Sequence, residues 1–331
     1  NYLKPMKITV RKFTANDTKD WDDFVKRSNN GTLFHLRSFL SYHIDRKFTD
    51  HSLIFEKNGE LIALFPATFE KKDGKNILYS HPGASFGGFV FQNLSFEDAN
   101  MLVKTIEEYS KQNKFEKIFF VDTPAIYHNQ LNETLEYLLH WYNYKIEEYY
   151  ISSMIDISQH ANSIDHLHSR KKRYVKNYLE DTTLTIKWED NFDQFYPILL
   201  ENKKKHNVTP THSLEELKRL NELHPQSLHL LLLFKKNIII GGTLNFIVNR
   251  NCGMIFYNMI NYDYINLQPA TIQIFESINW AKKHNLNYLD LGVSQQPKAE
   301  NPLTPHPSLI NFKEQLGATT IIRKAFQKII N

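Results

Sequence analysis

Three residues near the end of the chain combine reactive side chains with positions at the ends of predicted strands and helices. Asp290 ends a predicted strand, and in an open sheet the carboxyl ends of strands border the ligand crevice. Its carboxylate could orient a substrate amine, pair with a cation or act as a structural cap. Tyr257, on the preceding predicted strand, could donate a hydrogen bond or pack at the rim of the core. Lys313 follows Phe312 shortly before Gly317. It could stabilise a developing negative charge, or it could be an exposed lysine of a terminal helix.

A run of cations lies within the helix predicted over residues 166–178. At 100° per residue, Arg170 and Arg173 share one face, and Lys172 and Lys176 share another. This surface could bind the phosphates of a nucleotide, a sugar diphosphate or a tRNA end, and interleaved tyrosines offer rings on which a base could stack. The alternative is a solvated helix face.

Fifteen histidines raise the question of metal binding, but the sequence contains no His-Glu-x-x-His motif, and we predict no metal site. His81 opens a glycine-rich stretch, residues 81–88, and we assign it to substrate binding against the alternative of an ordinary polar residue. Ser85 in that stretch matches Gly-x-Ser-x-Gly, but the chain that follows is predicted to be extended rather than helical, which argues against a hydrolase. The glycines favour a backbone that passes close to a ligand, so Ser85 joins the predicted substrate-binding residues.

The composition indicates a folded protein whose charge is nearly balanced. A chain of 331 residues that is 41% hydrophobic is long enough for about two domains. Lys and Arg number 40 against 36 Asp and Glu, a net charge of +4 that does not favour DNA binding. The single cysteine, Cys252, is typical of a reducing compartment, so we expect a cytoplasmic protein. No apolar run reaches the roughly 20 residues of a membrane span.

Two similar sets of elements are predicted to position these residues. The first half contains a hairpin at Asn58-Gly59, a third strand, a long amphipathic helix, a short buried strand, a helix and a final strand. The second half repeats this order, with Pro269 at the start of its long helix. The order predicts an α/β (α+β) protein of two tandem domains, residues 6–158 and 159–331, each with a mixed, mostly antiparallel sheet flanked by helices.

This arrangement resembles the GNAT acyltransferase fold, and a tandem of two such domains is similar to the Fem aminoacyl transferases and their FemAB-like acetyltransferase relatives. The shared pattern is a tyrosine-bearing strand, a proline-started helix, a Leu-Asp-Leu-Gly strand end, and Phe-Lys with a glycine four residues after the lysine. Here these are Tyr257, Pro269, residues 289–292, Phe312, Lys313 and Gly317. The resemblance implies that Lys313 stabilises the reacting ester, that Asp290 and Tyr257 orient the acceptor, and that Phe312 belongs to the substrate-binding residues.

One departure from that pattern concerns the acyl donor. Acetyl-CoA users of the GNAT type carry a glycine-rich loop before the long helix, where backbone N–H groups bind the pyrophosphate. The corresponding stretches here, residues 91–97 and 261–270, contain no glycine. Acetyl-CoA or another acyl-CoA is therefore one possible donor, and aminoacyl-tRNA is the other.

The resemblance implies an N-acyltransferase that moves an acetyl or aminoacyl group onto an amine of a sugar or peptide precursor of the cell envelope, with a nucleotide sugar among the acceptors considered. The alternative is a GNAT-fold binding protein that recognises a nucleotide sugar or a tRNA without altering it. The missing glycine loop favours this alternative.

Overall fold

A tight hairpin joins the first long strands of the chain, as the Asn-Gly pair predicts. A computed structural model describes residues 7–330 of the protein. Asn58 and Gly59 both have positive φ, 53° and 82°, the backbone of a two-residue turn whose twist matches the flanking strands. The chain after this turn forms two strands, Glu60–Phe65 and Thr68–Lys72, because Pro66 between them has no N–H to give to a sheet.

The helices and strands of the first half are β1 (Ile8–Lys12), α1 (Thr18–Arg27), α2 (Arg37–Ser41), β2 (Leu53–Lys57), β3 (Glu60–Phe65), β4 (Thr68–Lys72), β5 (Lys75–Ser80), β6 (Val90–Phe91), α3 (Phe96–Gln112), β7 (Lys117–Val121), α4 (Thr134–Trp141) and β8 (Lys145–Asp156). Those of the second half are α5 (Ser169–Glu180), β9 (Leu184–Trp188), α6 (Phe192–Lys205), α7 (Leu214–Leu223), β10 (Leu228–Lys235), β11 (Ile238–Ile247), β12 (Cys252–Ile260), α8 (Pro269–Lys283), β13 (Tyr288–Val293), α9 (Pro307–Glu314) and β14 (Thr319–Ile329).

The described chain packs as two compact units, residues 7–149 with 323–330, and Tyr150–Ile322. The first unit has one sheet in the order β1-β2-β3-β6 and a second that contains β4, β5, β7 and the end of β14. The long helix α3 buries Ala99, Leu102, Val103 and Ile106 against this core, at the spacing of one helix face.

The second unit has a sheet that runs β8, β13, β12, β11, β10, β9, in which only residues 152–156 of β8 pair with β13. Consecutive residues of β12 point to opposite faces of this sheet. The ring of Tyr257 lies near Phe195 of α6, whereas Asn258 bonds to the Ala270 carbonyl of α8. Helices α6 and α8 therefore cover opposite faces.

Each unit contains one parallel strand pair with the long helix of that half between its members. β5 pairs with β7 on either side of α3, and β12 pairs with β13 on either side of α8. The predicted order is therefore confirmed in both halves. Helix α8 begins at Pro269, as predicted, because a first helical position needs no backbone N–H.

The strand that completes each sheet comes from the end of the other half of the chain. In the first unit, β7 pairs antiparallel with residues 325–329 of β14. In the second unit, β13 pairs antiparallel with β8, the strand that ends the first half. The predicted division into residues 6–158 and 159–331 stays a prediction about repeats along the chain, and its ends at residues 6 and 331 lie outside the described residues.

One predicted helix differs from the structure. Helix α5 begins at Ser169 rather than at residue 166, because Ser163–His166 forms a separate short 3₁₀ turn. Cys252 is the first residue of β12, and its thiol is buried. Within residues 7–330, no helix is long and apolar enough to cross a membrane.

Candidate functional site

Lys313 is a buried lysine whose ammonium is held at the end of a strand. It lies on the last turn of α9 and is only 5% exposed. Its Nζ donates to the carbonyl oxygen of Gly292 at 2.7 Å, to Oγ of Ser294 at 2.9 Å and to the carbonyl oxygen of Val293 at 3.2 Å. These oxygens compensate for the loss of water around the charge. The result is a fixed positive charge at the end of β13.

Asp290 shapes the backbone that receives this lysine. Its carboxylate is fully buried, and Oδ1 accepts hydrogen bonds from the Gly292 N–H at 2.7 Å and from the Ser152 hydroxyl at 3.1 Å. Gly292 has φ +75°, a conformation that favours glycine. Asp290 therefore stabilises the turn whose carbonyls bind Lys313. Its predicted contact with an acceptor amine stays a prediction.

Gly317 sets the position of the chain after α9. It has φ +88°, and a Cβ at this position would lie 2.3 Å from the carbonyl oxygen of His166. The N–H groups of Leu316 and Ala318 both donate to the Lys313 carbonyl, which ends the helix. The glycine four residues after the lysine is thus required by a close approach of two backbones.

Phe312, the residue before the buried lysine, contacts a second lysine. Its half-buried ring packs against the apolar core of the second unit. Nζ of Lys171 lies 4.5 Å from the centre of this ring, and Lys171 itself is only 6% exposed. Sequence reasoning missed Lys171 as a site residue. The available signal was its position four residues before Val175, which lies on the buried face of α5.

The predicted cationic surface of α5 is solvent-exposed. Arg170, Arg173 and Lys176 are exposed, and Lys172 forms a 3.3 Å ion pair with Asp165. The side chain of Arg170 donates to the hydroxyl of Tyr174 at 3.0 Å. These contacts fit either a phosphate-binding surface or a solvated helix face, so the predicted role stays a prediction.

Tyr257 is buried on β12 and bonded to a histidine. Its hydroxyl lies 2.9 Å from Nδ1 of His212, and Nζ of Lys203 lies 5.5 Å from the centre of its ring. Burial raises the pKa of Tyr257 to about 12, so the phenol keeps its proton at neutral pH. His212, on the connection between α6 and α7, is a partner that the sequence did not indicate. The predicted contact of Tyr257 with a substrate is a prediction that these distances do not test.

His81 lines a cationic cavity of about 350 Å³ in the first unit. The cavity is lined by Arg37, Leu40, Ser41, His43, Arg46, Lys47, Phe48, Asp50 and His81. Burial lowers the pKa of His81 to about 3, and its Nδ1 accepts the Gly83 N–H at 3.1 Å, which leaves Nε2 as the donor of a neutral ring. A Cβ on Gly83 would lie 2.6 Å from the His43 ring. The glycine thus lets the stretch pack against the cavity wall.

Ser85 lies half-buried in the same stretch. A Cβ on Gly87 would lie 2.4 Å from the carbonyl oxygen of Ser80, so this glycine permits an approach between two backbone segments. The stretch leads into the short strand β6 and not into a helix, in agreement with the argument against a hydrolase. The contact of Ser85 with a substrate stays a prediction.

The connection from β12 to α8 offers few backbone donors to a phosphate. It is a 3₁₀ segment, Tyr262–Leu267, followed by Gln268 with φ +59°. Pro269 has no N–H, and the N–H groups of Thr271 and Ile272 both donate to the Gln268 carbonyl. The glycine-free stretch therefore forms a closed helix start, by which we mean one with few backbone N–H groups available to a ligand.

Comparison with proteins of known structure assigns the fold. FemX superposes with a TM-score of 0.75 at 14% identity, over 98% of this chain and 98% of that one. The chain has the tandem GNAT fold of FemAB-like proteins. L-PGS from Bacillus licheniformis matches with a TM-score of 0.56 at 11% identity, over 95% and 91% of the two chains. A tandem GNAT protein from the clavulanic acid biosynthesis pathway matches at 0.55 and 7%, over 98% and 99%.

These neighbours confirm the predicted fold class, a mixed α/β protein of two GNAT-like halves. No protein-family profile and no curated protein sequence matches the chain. Because each identity is far below 25%, the likeness is one of fold.

The FemAB-like fold brings some of the predicted residues together. Asp290 and Lys313 meet through the turn at Gly292, and Phe312 lies beside them on α9. Tyr257 belongs to the same unit, where it contacts Lys203 of α6 and His212 in the segment before α7. His81 and Ser85 belong to the other unit. Within residues 7–330, no group of three or more His, Cys, Asp or Glu side chains is placed to hold a metal ion.

Proposed function

We propose that this protein is an N-acyltransferase that moves an acetyl or aminoacyl group from an activated donor to an amine of a sugar or peptide precursor of the cell envelope. The observation that carries the proposal is Lys313, a buried ammonium fixed by three oxygens at the end of β13. A positive charge that is already held in place stabilises an oxyanion with little reorganisation during the reaction. The FemAB-like fold supports the same reaction class.

The proposed reaction needs one developing negative charge to be stabilised. The acceptor nitrogen attacks the carbonyl carbon of the donor, a C–N bond forms, and the carbonyl electrons move to oxygen. The C–O bond of an ester or the C–S bond of a thioester then breaks, and the proton lost by nitrogen passes to the leaving atom. Lys313 stabilises the oxyanion by exchanging its 3.2 Å hydrogen bond to the carbonyl oxygen of Val293, an exposed residue, for one to the oxyanion.

The donor is proposed to be an acyl-CoA or an aminoacyl-tRNA. The closed start of α8 lacks the glycine loop that binds a CoA pyrophosphate through backbone N–H groups, which favours aminoacyl-tRNA. The exposed cations of α5 would give such an RNA a surface for its phosphates, with Arg170, Arg173, Lys172 and Lys176 as the contacts. No metal takes part in this scheme.

The acceptor is proposed to carry a phosphate, as a nucleotide sugar does. The cavity beside His81 has three permanent cations among its lining residues, Arg37, Arg46 and Lys47, against one carboxylate, Asp50. Asp50 already pairs with Arg37, and Nη2 of Arg46 is buried with no hydrogen-bond partner among residues 7–330. Neutral His81 adds a hydrogen-bond donor. Ser85 is assigned to the same acceptor.

The cytoplasm is the proposed location, because it contains acyl-CoA, aminoacyl-tRNA and nucleotide sugars, which are the proposed substrates. The buried free thiol of Cys252 is compatible with a reducing compartment.

The test is acyl transfer followed by mass spectrometry. The full chain is incubated with acetyl-CoA or an aminoacyl-tRNA and with UDP-linked amino sugars, and each acceptor is analysed for the mass of an added acyl group. We expect transfer by the wild-type chain and transfer slower by about 100-fold or more by Lys313→Gln. Transfer at equal rates by both chains would remove the proposed mechanism.

The second candidate is a binding protein that recognises a nucleotide sugar or a tRNA without chemistry. The closed helix start before α8 favours it, because the backbone there offers few N–H groups to the phosphates of an acyl donor. A thermal shift with a UDP-sugar or a tRNA, without any mass change in the acceptor, would support this candidate over acyl transfer.

A further inference from the structure

Lys171 is buried beside Phe312 without a carboxylate to balance its charge. Its Nζ lies 4.5 Å from the centre of the Phe312 ring and 3.4 Å from Oγ1 of Thr271. No carboxylate of residues 7–330 lies within ion-pair distance of it. Burial lowers the pKa of Lys171, and the charge of Arg170 lowers it further, although Tyr174 acts in the opposite direction. The fold thus removes an ammonium from water without neutralising it.

An unpaired buried charge carries a large cost in folding free energy. Natural proteins rarely retain a buried lysine unless it is paired or used. Methionine at this position would fill a similar volume without the cost. The contacts of Lys171 with the Phe312 ring and the Thr271 hydroxyl are weaker than an ion pair, so a bound anion would supply the missing charge.

The neighbouring helix start also favours an anion at this place. Thr271 is fully buried in the first turn of α8, where the helix dipole contributes a positive potential. The backbone offers little, because Pro269 has no N–H and the N–H groups of Thr271 and Ile272 are used by the Gln268 carbonyl. An anion here would therefore bind to side chains, the Lys171 ammonium and the Thr271 hydroxyl.

We infer that Lys171 and Thr271 bind a phosphate group of the acyl donor and take the place of a glycine-rich phosphate loop. The assignment to the donor rests on the proposed function, in which Lys313 acts on the donor carbonyl: Phe312, whose ring contacts Lys171, is the residue before Lys313 on α9. The exposed cations of α5 are then secondary contacts. The phosphate belongs to the pyrophosphate of an acyl-CoA or to the phosphodiester next to the terminal ribose of an aminoacyl-tRNA.

The test is calorimetric titration of the full chain with inorganic pyrophosphate, which measures the anion site without any acyl transfer. We compare wild type with Lys171→Met, which keeps the length of the side chain and removes its charge. The matched control is Lys204→Met, which removes the same charge from an exposed position of α6. We expect saturable binding by wild type, affinity at least about tenfold weaker in Lys171→Met, and no change in Lys204→Met.

Folding and chemistry are separated from binding by two further variants. Without anion, Lys171→Met should melt no lower than wild type, and Thr271→Val, which keeps the ammonium, should weaken binding about threefold. Lys313→Gln should retain pyrophosphate binding, so failure of the proposed acyl transfer leaves this result unchanged. Titrations with CoA and with an oligoribonucleotide ending in CCA then identify the source of the phosphate. The ligand whose affinity falls in Lys171→Met is the one that this site binds.

No saturable pyrophosphate binding by wild type, or equal affinities in Lys171→Met and Lys204→Met, would overturn the inference. If Lys171→Met does not fold, Thr271→Val decides the question: unchanged affinity in that variant contradicts the site, and weakened affinity supports it.

Discussion

Replacing Lys313 with glutamine should slow catalysis by about 100- to 1,000-fold at a modest cost in stability. The amide keeps hydrogen atoms that can reach one or two of the three oxygens now bound by Nζ, but it carries no charge. Loss of a single preorganised oxyanion donor lowers kcat by about 10² to 10³, or about 3 to 4 kcal/mol of transition-state stabilisation. The lost charged hydrogen bonds, partly offset by removal of a buried charge, should lower the free energy of unfolding by about 1 to 3 kcal/mol.

The assay is steady-state acyl transfer with the donor and acceptor that give the largest mass change, together with thermal unfolding. We expect kcat to fall and KM to stay within a few-fold, since the charge acts on the transition state. Ser294→Ala is the matched variant, because it removes one oxygen at 2.9 Å and keeps the ammonium, and its kcat should fall less than about tenfold. If Lys313→Gln retains kcat within tenfold of wild type, Lys313 does not stabilise the oxyanion.

Three further predictions follow from buried groups and close contacts. Asp290→Asn keeps an oxygen for the Gly292 N–H and should restore most of the activity that Asp290→Ala loses, about 100-fold in kcat; equal losses in both would refute a positioning role. Gly317→Ala should lower the free energy of unfolding by about 2 kcal/mol or more in denaturant titrations, whereas Gly59→Ala, with a similar φ and open space around it, should cost only about 1 kcal/mol. Burial raises the pKa of Asp122 to about 7, above its unfolded value of about 3.9, so its contribution to stability is complete only below about pH 3.9 and is lost progressively as the pH rises to about 7. The gain in melting temperature of Asp122→Asn over wild type should therefore be larger at pH 8 than at pH 5, and a pH-independent difference would contradict the shifted pKa.

Local patterns in the sequence predict most of the elements of this fold. The Asn58-Gly59 turn, the start of α8 at Pro269 and the buried face of α3 each depend on residues close together in the chain. The exchange of β8 and β14 between the two sheets could not be predicted in this way. Either strand has the same alternating pattern whichever neighbour it pairs with, so the choice is made by packing over long distances in sequence.

The candidate site could likewise be predicted only in part from the sequence. The Phe312-Lys313 pair is visible in the sequence through its resemblance to FemAB-like proteins, and its burial follows from the turn at Gly292. The burial of Lys171 was hidden among the exposed cations on the same helix. The cationic cavity also needed coordinates, because Arg46 and His81 are brought together only by the folded chain.

The exchanged strands have a consequence for how this protein is made. Val121 pairs with Ala325, more than 200 residues later in the chain, so the edge of β7 stays open until residues 325–329 have left the ribosome. An exposed strand edge is a site of aggregation, and such distant pairing slows folding. The amino-terminal half, when synthesised alone, should therefore be insoluble or should recruit a strand from another molecule. Adding a peptide that corresponds to residues 319–330 should rescue it.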